Sequence, residues 1–269
     1  MITFPNAKIN LGLRILGKRS DGFHEIESCL YPIPLTDALE MIPSRSFTFA
    51  SSGNAIPGNE ADNLIVKAYR MLAADFHEVS PVAFHLHKHI PIGAGLGGGS
   101  SDAAFALAAL NKIFDLNISD QTLANYAGKL GSDCPFFIRN KPQLARGRGE
   151  ILEEVKLSLA GNWLFLVHPA IHIGTAEAYA GVRPAPTAKK LPEVLVDPAS
   201  WKQDLINDFE ISIFSKYPEI AAIKAQLYAA GAWYAAMSGS GSAVIGLFAE
   251  EPKKLNFPSG YFTFSQQLS

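Results

Sequence analysis

The sequence predicts an α+β protein of two domains. Three observations carry that expectation: a length of 269 residues, beyond the usual single-domain size; a strand-rich opening that gives way to helical periodicity; and a glycine-rich loop that ends at an alanine-rich helix. The N-terminal domain is expected over 1–155 and the C-terminal domain over 156–269.

Ala7 to Leu16 and Phe47 to Ala50 read as short, partly alternating strands, interrupted by a turn at Gly17 to Gly22 and punctuated by Pro32 and Pro34. Ala61 to Phe76 carries Leu64, Ile65, Ala68, Leu72 and Ala73 at helical spacing, and Val82 to His89 reads as a strand. An alanine helix is predicted over Asp102 to Phe114. Ser119 with Asp120 caps the next helix, which Gly131 ends as a left-handed cap, and 132–138 reads as a buried turn. Asn140 to Ile151 reads as a hairpin. Trp163 to Val167 is a continuous apolar strand that opens the second region. Helices are expected from Thr175 and over Tyr217 to Ala230. Between them, Val182 to Asp197 is rich in Pro, Ala and Lys and reads as a surface loop. Met237-Ser238-Gly239-Ser240-Gly241-Ser242 forms a second Gly/Ser turn before the strand Ala243 to Phe248.

The loop Pro91-Ile92-Gly93-Ala94-Gly95-Leu96-Gly97-Gly98-Gly99-Ser100-Ser101 holds five glycines in seven positions, more than a surface turn needs. Lacking Cβ, its glycines reach left-handed dihedrals and bring several N–H groups to one anion. The helix start adds unpaired donors and a positive dipole end. Ala103, Ala104, Ala106, Ala108 and Ala109 are small enough for close packing beneath whatever the loop holds, and a nucleotide polyphosphate fits. The P-loop pattern fails because position 99, where its lysine should stand, is Gly. The dinucleotide pattern matches Gly93, Gly95 and Gly98, but it should follow an apolar strand and precede an acidic residue by about 20 positions. Here the strand is half polar, and Asp115 ends a helix instead of a second strand.

A net charge of −2 and a pI near 6.4, with both signs scattered, provide no basic stripe for nucleic acid or anionic membrane. A small-molecule partner is expected. Cys29 and Cys134 are too few and too far apart for a disulfide framework or a metal site, which points to a reducing cytoplasm. The start lacks a basic and apolar leader, and no run of about 18 apolar residues occurs, so neither export nor a membrane span is expected.

Four blocks together resemble the GHMP kinase superfamily, named for galacto-, homoserine, mevalonate and phosphomevalonate kinases. They are Asn6-Ala7-Lys8-Ile9-Asn10-Leu11 with Arg19 to Glu25, Ile90 to Ala104, Gly131 to Phe137, and Ser238 to Ser242. Gly-Leu-Gly-Gly-Gly-Ser-Ser and Asp-Gly-Phe-His single out one branch from relatives with the shorter Gly-Leu-Gly-Ser-Ser. The resemblance implies a two-domain GHMP kinase fold with its active site in the cleft between the domains. It also implies transfer of the γ-phosphoryl group of ATP, as its Mg²⁺ complex, to the tertiary 2-hydroxyl of a cytidine-diphosphate-linked methylerythritol, a step of non-mevalonate isoprenoid synthesis. Residues 91 to 101 would bind ATP; Ser100 or Ser101 offers Mg²⁺ a hydroxyl, with no acidic ligand assigned, and the ion would be held largely by phosphates and water. A monomer or weak homodimer is expected.

Lys8 and Asp133 match the family's catalytic pair. Asp133 follows a capped helix end and precedes apolar Cys134-Pro135-Phe136-Phe137, where packing would thin its water and raise its proton affinity, while Lys8 would oppose that shift and neutralise the moving charge. The alternatives are a carboxylate that only ties down a turn and an exposed strand lysine. Asn10, two residues from Lys8, shares its face. Phe23 and Tyr179 match the aromatics that cover the cytosine and His24 its hydrogen-bonding histidine. Thr175 matches a substrate-contacting threonine and would serve equally as a helix cap. The family's first aromatic is often Tyr, so Phe23 lacks a phenolic hydroxyl. Gly239-Ser240-Gly241 matches the superfamily's third motif, which supports the phosphate loop. Asp102 stands where the family commonly has a neutral residue; its charge suits the helix dipole but repels phosphates. His85, His87 and His89 alternate on one strand and are expected to be exposed, not a metal site; Lys88 reads as an ordinary solvated lysine, the alternative being one that approaches the nucleotide. His168 and His172 have no nucleophile partner.

Overall fold

The structure, a computed structural model, describes residues 1–182, 184, 189–253 and 255–269. In chain order its first elements are β1 (Ile2–Thr3), β2 (Asn6–Lys18), β3 (His24–Thr36), β4 (Ala38–Pro43), β5 (Thr48–Gly53), α1 (Leu64–Asp75), β6 (Val82–Lys88), α2 (Gly98–Ile113), α3 (Asp120–Leu130) and α4 (Cys134–Arg139). There follow β7 (Gln143–Gly147), β8 (Ile151–Glu154), β9 (Trp163–His168), α5 (Thr175–Ala180), α6 (Leu191–Leu195), α7 (Trp201–Asp204), α8 (Phe209–Lys216), α9 (Pro218–Ala229), β10 (Tyr234–Met237), β11 (Val244–Phe248) and β12 (Phe262–Gln267). Two compact units result. The first is 1–8, 35–92 and 97–141; the second is 9–34, 93–96 and 142–269.

In the first unit a sheet of order β1-β4-β6-β5 backs onto the helices. β6 pairs antiparallel with β4 and parallel with β5. Alternation along β6 buries Val82, Phe84, Leu86 and Lys88 and exposes His85 and His87; His89, just past the strand, is exposed as well. α1 turns Ile65, Ala68 and Leu72 toward the same core, where α2 adds Ala103, Ala106, Leu107 and Leu110. Fully burying a side chain such as Leu72 contributes about 1.5–3 kcal/mol. The Asn63 side chain caps α1 and Ser119 caps α3.

The second unit has its own core, built from Leu13, Ile15, Phe165, Val167, Phe209, Ile213, Ile223, Leu227 and Val244 among others. One sheet runs β10-β11-β9-β12 with antiparallel neighbours. β7 and β8 form the expected hairpin, and β7 pairs with β3 through Ile26 to Leu30.

Several expectations need correction. α2 begins at Gly98 and not at Asp102, because Gly97 adopts a left-handed φ of 70° and lets Ser101 N–H donate to its carbonyl at 2.9 Å. Two loop glycines therefore form the first helical turn. Ala108 faces solvent, while the other four named alanines are buried. The stretch 132–138 contains the short helix α4, with Pro135 in its first turn, where a missing N–H costs nothing. Gly131 is extended (φ 175°) and not left-handed; a Cβ there would stand 3.3 Å from Cys134 Sγ. β3 runs through Pro32 and Pro34, since its pairing with β7 ends at Leu30. Part of the expected 182–197 loop lies outside the described residues, but Leu191–Leu195 is helical and buries Leu191, Val194 and Leu195.

Burial pushes the Cys29 thiol up to about 12 and the Cys134 thiol up to about 11. Both are free and buried. The native chain should therefore give no rapid reaction with a thiol reagent at pH 8 and two equivalents after unfolding; fast native labelling at either position would contradict this packing.

Candidate active site

Within the first unit the structure brings Lys8, Asp133 and the end of the glycine loop together. Lys8 Nζ lies 3.3 Å from Asp133 Oδ2; the lysine side chain is 5% exposed and the aspartate 38%. The lysine is thus the buried member, and the carboxylate keeps more water than its apolar followers suggested. Asp133 stands at the N-cap position of α4 but makes no capping bond with its side chain. Its carboxylate is not spent on the turn. A Cβ on Gly97 would fall 3.1 Å from Lys8 Cε and 3.0 Å from the Phe137 ring, so the pair borders the residue from which α2 starts. The first N–H groups of α2, at Gly98, Gly99 and Ser100, have no partner within the helix, and the dipole makes that end electropositive.

Lys88 is not a solvated lysine. Its ammonium is 3% exposed and donates to Asp37 and, at 2.6 Å, to Asp102. Asp102 therefore meets a cation and does not face solvent. Burial pushes its carboxyl up to about 7, with Asp37 adding to the rise and Lys88 opposing it. Parity along β6 was the available signal: Lys88 follows Val82, Phe84 and Leu86 on the buried face.

Within the second unit Asn10 and the middle of the glycine loop meet the Gly/Ser turn. Asn10 N–H donates to Ser238 Oγ at 3.1 Å, and that hydroxyl donates to the Gly95 carbonyl at 3.0 Å. Ala243 N–H donates to the Ala94 carbonyl at 3.2 Å. Asn207, which the sequence reading missed, holds the turn by donating at 2.8 Å to the carbonyls of Met237 and Gly239. His172 gains a neighbour: a Cβ on Gly93 would come 2.5 Å from its Nδ1. Asn10 also donates to Ser28 Oγ at 2.8 Å.

Tyr179 stacks on His24, with ring centroids 4.7 Å apart and planes at 17°, and its edge meets Phe209. Phe23 is 54% exposed, and the Arg148 guanidinium lies 4.9 Å from its ring centre. Thr175 is the first residue of α5 and exposed; Gly174 holds the cap position, so the hydroxyl is not at the cap. His85 and His87 share Ser52 Oγ at 2.9 and 3.0 Å. Among the described residues no cluster of three or more metal-ligating side chains occurs. The buried Ser101 hydroxyl has no hydrogen-bond partner, and the loop glycines at 93, 95 and 97 all take positive φ. A backbone cradle of this kind suits the oxygens of a polyphosphate.

The geometry sets the end of a glycine-rich loop beside a lysine–aspartate pair, an arrangement chemically suited to phosphoryl transfer. The family model described as GHMP kinases N terminal domain matches residues 63–141, and GHMP kinases C terminal matches 195–256. The chain is 52% identical to the 4-diphosphocytidyl-2-C-methyl-D-erythritol kinase of Cytophaga hutchinsonii, covering 94% of each, and 50% identical to that of Bacteroides fragilis, covering 100% of each. A crystal structure of 4-(cytidine 5'-diphospho)-2C-methyl-D-erythritol kinase superposes with a TM-score of 0.79 at 33% identity, covering 92% of this chain and 90% of that one. The chain belongs to the GHMP kinases and, within them, to the 4-diphosphocytidyl-2-C-methyl-D-erythritol kinase family. Membership implies ATP as the phosphoryl donor. No helix among the described residues is long and apolar enough to cross a membrane.

Proposed function

We propose that this chain phosphorylates the 2-hydroxyl of 4-diphosphocytidyl-2-C-methyl-D-erythritol with ATP. The observation that carries the chemistry is the Lys8 and Asp133 pair, 3.3 Å apart and bordering the first residue of the phosphate-loop helix. Asp133 orients the acceptor hydroxyl and takes its proton. The acceptor oxygen then bonds to the γ-phosphorus as the bond to the bridging oxygen of ADP breaks. Lys8 offsets the negative charge of the attacking oxygen and the moving phosphoryl group, with alignment and charge neutralisation supplying most of the rate. Residues Pro91 to Ser101 hold the triphosphate, the N–H groups that open α2 at Gly98, Gly99 and Ser100 donating to its oxygens. Mg²⁺ would travel with ATP and screen its phosphates, with the Ser100 and Ser101 hydroxyls as the side-chain oxygens this loop would offer it.

On the acceptor side, Asn10 addresses the polyol, while Phe23, His24 and Tyr179 take the cytosine and Thr175 lies on the helix that carries Tyr179. The Tyr179 ring is already paired face to face with His24, which supports an aromatic surface able to accept a base. A net charge of −2 with both signs scattered supports a small-molecule enzyme without a nucleic-acid partner; two cysteines far apart support a cytoplasmic setting, and the chain is taken to work as a monomer or weak homodimer.

Tyr179→Ala tests base recognition. Base stacking on an aromatic ring contributes about 1–3 kcal/mol, so KM for the cytidyl acceptor should rise about 5- to 150-fold while KM for ATP stays within about twofold. An acceptor KM that does not move would remove cytidine recognition from Tyr179.

A further inference from the structure

The Asp37, Lys88 and Asp102 cluster is a costly feature. Taking three charges out of water is unfavourable by several kcal/mol per ion, and well-packed apolar side chains often serve stability as well. All three side chains are at most 4% exposed. Their connections explain what the cluster does. Asp37 Oδ1 accepts from His89 N–H at 2.6 Å and Ile90 N–H at 2.8 Å, the two residues that lead from β6 into the glycine loop. Asp37 Oδ2 accepts from the Lys88 ammonium, which in turn donates to Asp102 Oδ2 at 2.6 Å in the opening turns of α2, where the loop ends. A Cβ on Gly98 would stand 2.9 Å from Lys88 Nζ, so the ammonium is packed directly against the first residue of that helix. The other oxygen, Asp102 Oδ1, is buried without a hydrogen-bond partner, and Lys88 is the cation that holds the carboxylate.

We propose that Asp37, Lys88 and Asp102 form a clamp that fixes the two ends of the glycine loop relative to each other and thereby positions the donor-phosphate site. Lys88 and Asp37 are positioning residues: they act through the backbone at His89, Ile90 and Gly98 and not by touching the nucleotide. The proposal rests on the reading of residues 91 to 101 as the ATP site. It makes a prediction opposite in sign to simple electrostatics. Removing the Asp102 charge near the loop would by itself tighten binding of an anionic nucleotide; removing the clamp loosens it.

The test compares Asp102→Ala with Asp102→Asn, measuring ATP Kd by titration and acceptor KM by turnover. Asp102→Ala leaves Lys88 paired with Asp37 but unties α2, so ATP Kd should rise at least fivefold with acceptor KM unchanged. Asp102→Asn keeps an oxygen for Lys88 and should hold ATP Kd within about twofold of the wild-type value or below it. The double variant Lys88→Met/Asp102→Ala, in which Asp37 keeps its two backbone donors, should show the same ATP loss as Asp102→Ala and serves where the single variant folds poorly. A rise in ATP Kd of less than fivefold in Asp102→Ala or in the double variant, whichever folds, or an equal rise in both constants, overturns the clamp. A wild-type chain that binds no ATP overturns the donor-site reading and the clamp together, whereas wild-type binding with unaffected variants overturns the clamp alone.

Discussion

Asp133→Asn should lower kcat by about 10²–10⁴ while leaving ATP affinity within a few fold of wild type, the loss expected when a positioned proton acceptor is removed. Asparagine has the same shape but cannot take the acceptor proton. Asp133 makes no capping bond with its side chain, so α4 should still start where it does. The stability effect should be small, because the partly exposed carboxylate meets Lys8 at 3.3 Å with 38% of its own side chain in solvent. Single-turnover rates with saturating ATP, read beside ATP Kd from titration, separate the chemical step from binding. A variant that retained most of its turnover would move the proton acceptor elsewhere; one that lost ATP binding in parallel would make Asp133 part of the donor site.

Gly95→Ala should be the most damaging change in the loop. Gly95 has φ +78°, and a Cβ there would lie 2.0 Å from the Ser238 carbonyl oxygen and 2.9 Å from its carbon. Both obstacles are backbone, so neither swings aside as a flexible side chain would. Relieving the overlap requires moving the Ser238 turn, which breaks the Ser238 hydroxyl bond to the Gly95 carbonyl and disturbs the bond from Asn10 N–H to the same hydroxyl. Left-handed strain at a residue with a Cβ adds about 1–2 kcal/mol. ATP affinity should fall by about 100-fold or more, together with a lower Tm. Gly99→Ala is the matched control: nothing lies within 4 Å of its Cβ, it sits in the first turn of α2, and the exchange should raise Tm slightly. Equal effects from the two substitutions would contradict a loop held in place at Gly95.

Much of this arrangement is legible in the sequence because it depends on local chemistry. Glycines cluster where φ must be positive, Ser119 stands one residue before α3, and the period of two along Val82 to Lys88 assigns its faces. Carried from Leu86 to the next position on that face, the same period buries Lys88; residue type argues for solvent, and the tertiary partners Asp37 and Asp102 make the burial tolerable. Those partners lie 51 and 14 residues away, beyond any local pattern. The start of α2 was misplaced because glycine's low helix propensity argues against a helical Gly98 and Gly99, whereas the dihedral of Gly97 decides the matter. Gly131 does cap α3, its N–H donating to the Ala127 carbonyl at 3.2 Å, but it does so with extended backbone in place of the left-handed turn. Asn207 escaped notice because one asparagine in a polar connection looks ordinary until the turn it holds has been folded against it.

The central claim is the transfer of phosphate to one particular hydroxyl. Its most direct test incubates the purified chain with ATP, Mg²⁺ and 4-diphosphocytidyl-2-C-methyl-D-erythritol, follows ADP release, and locates the new phosphate by mass and phosphorus NMR, with mevalonate and homoserine run in parallel. The predicted result is one ADP per acceptor, a single added phosphoryl group on the 2-oxygen, and no turnover of either control. Phosphorylation of mevalonate or homoserine with the cytidyl compound untouched would contradict it.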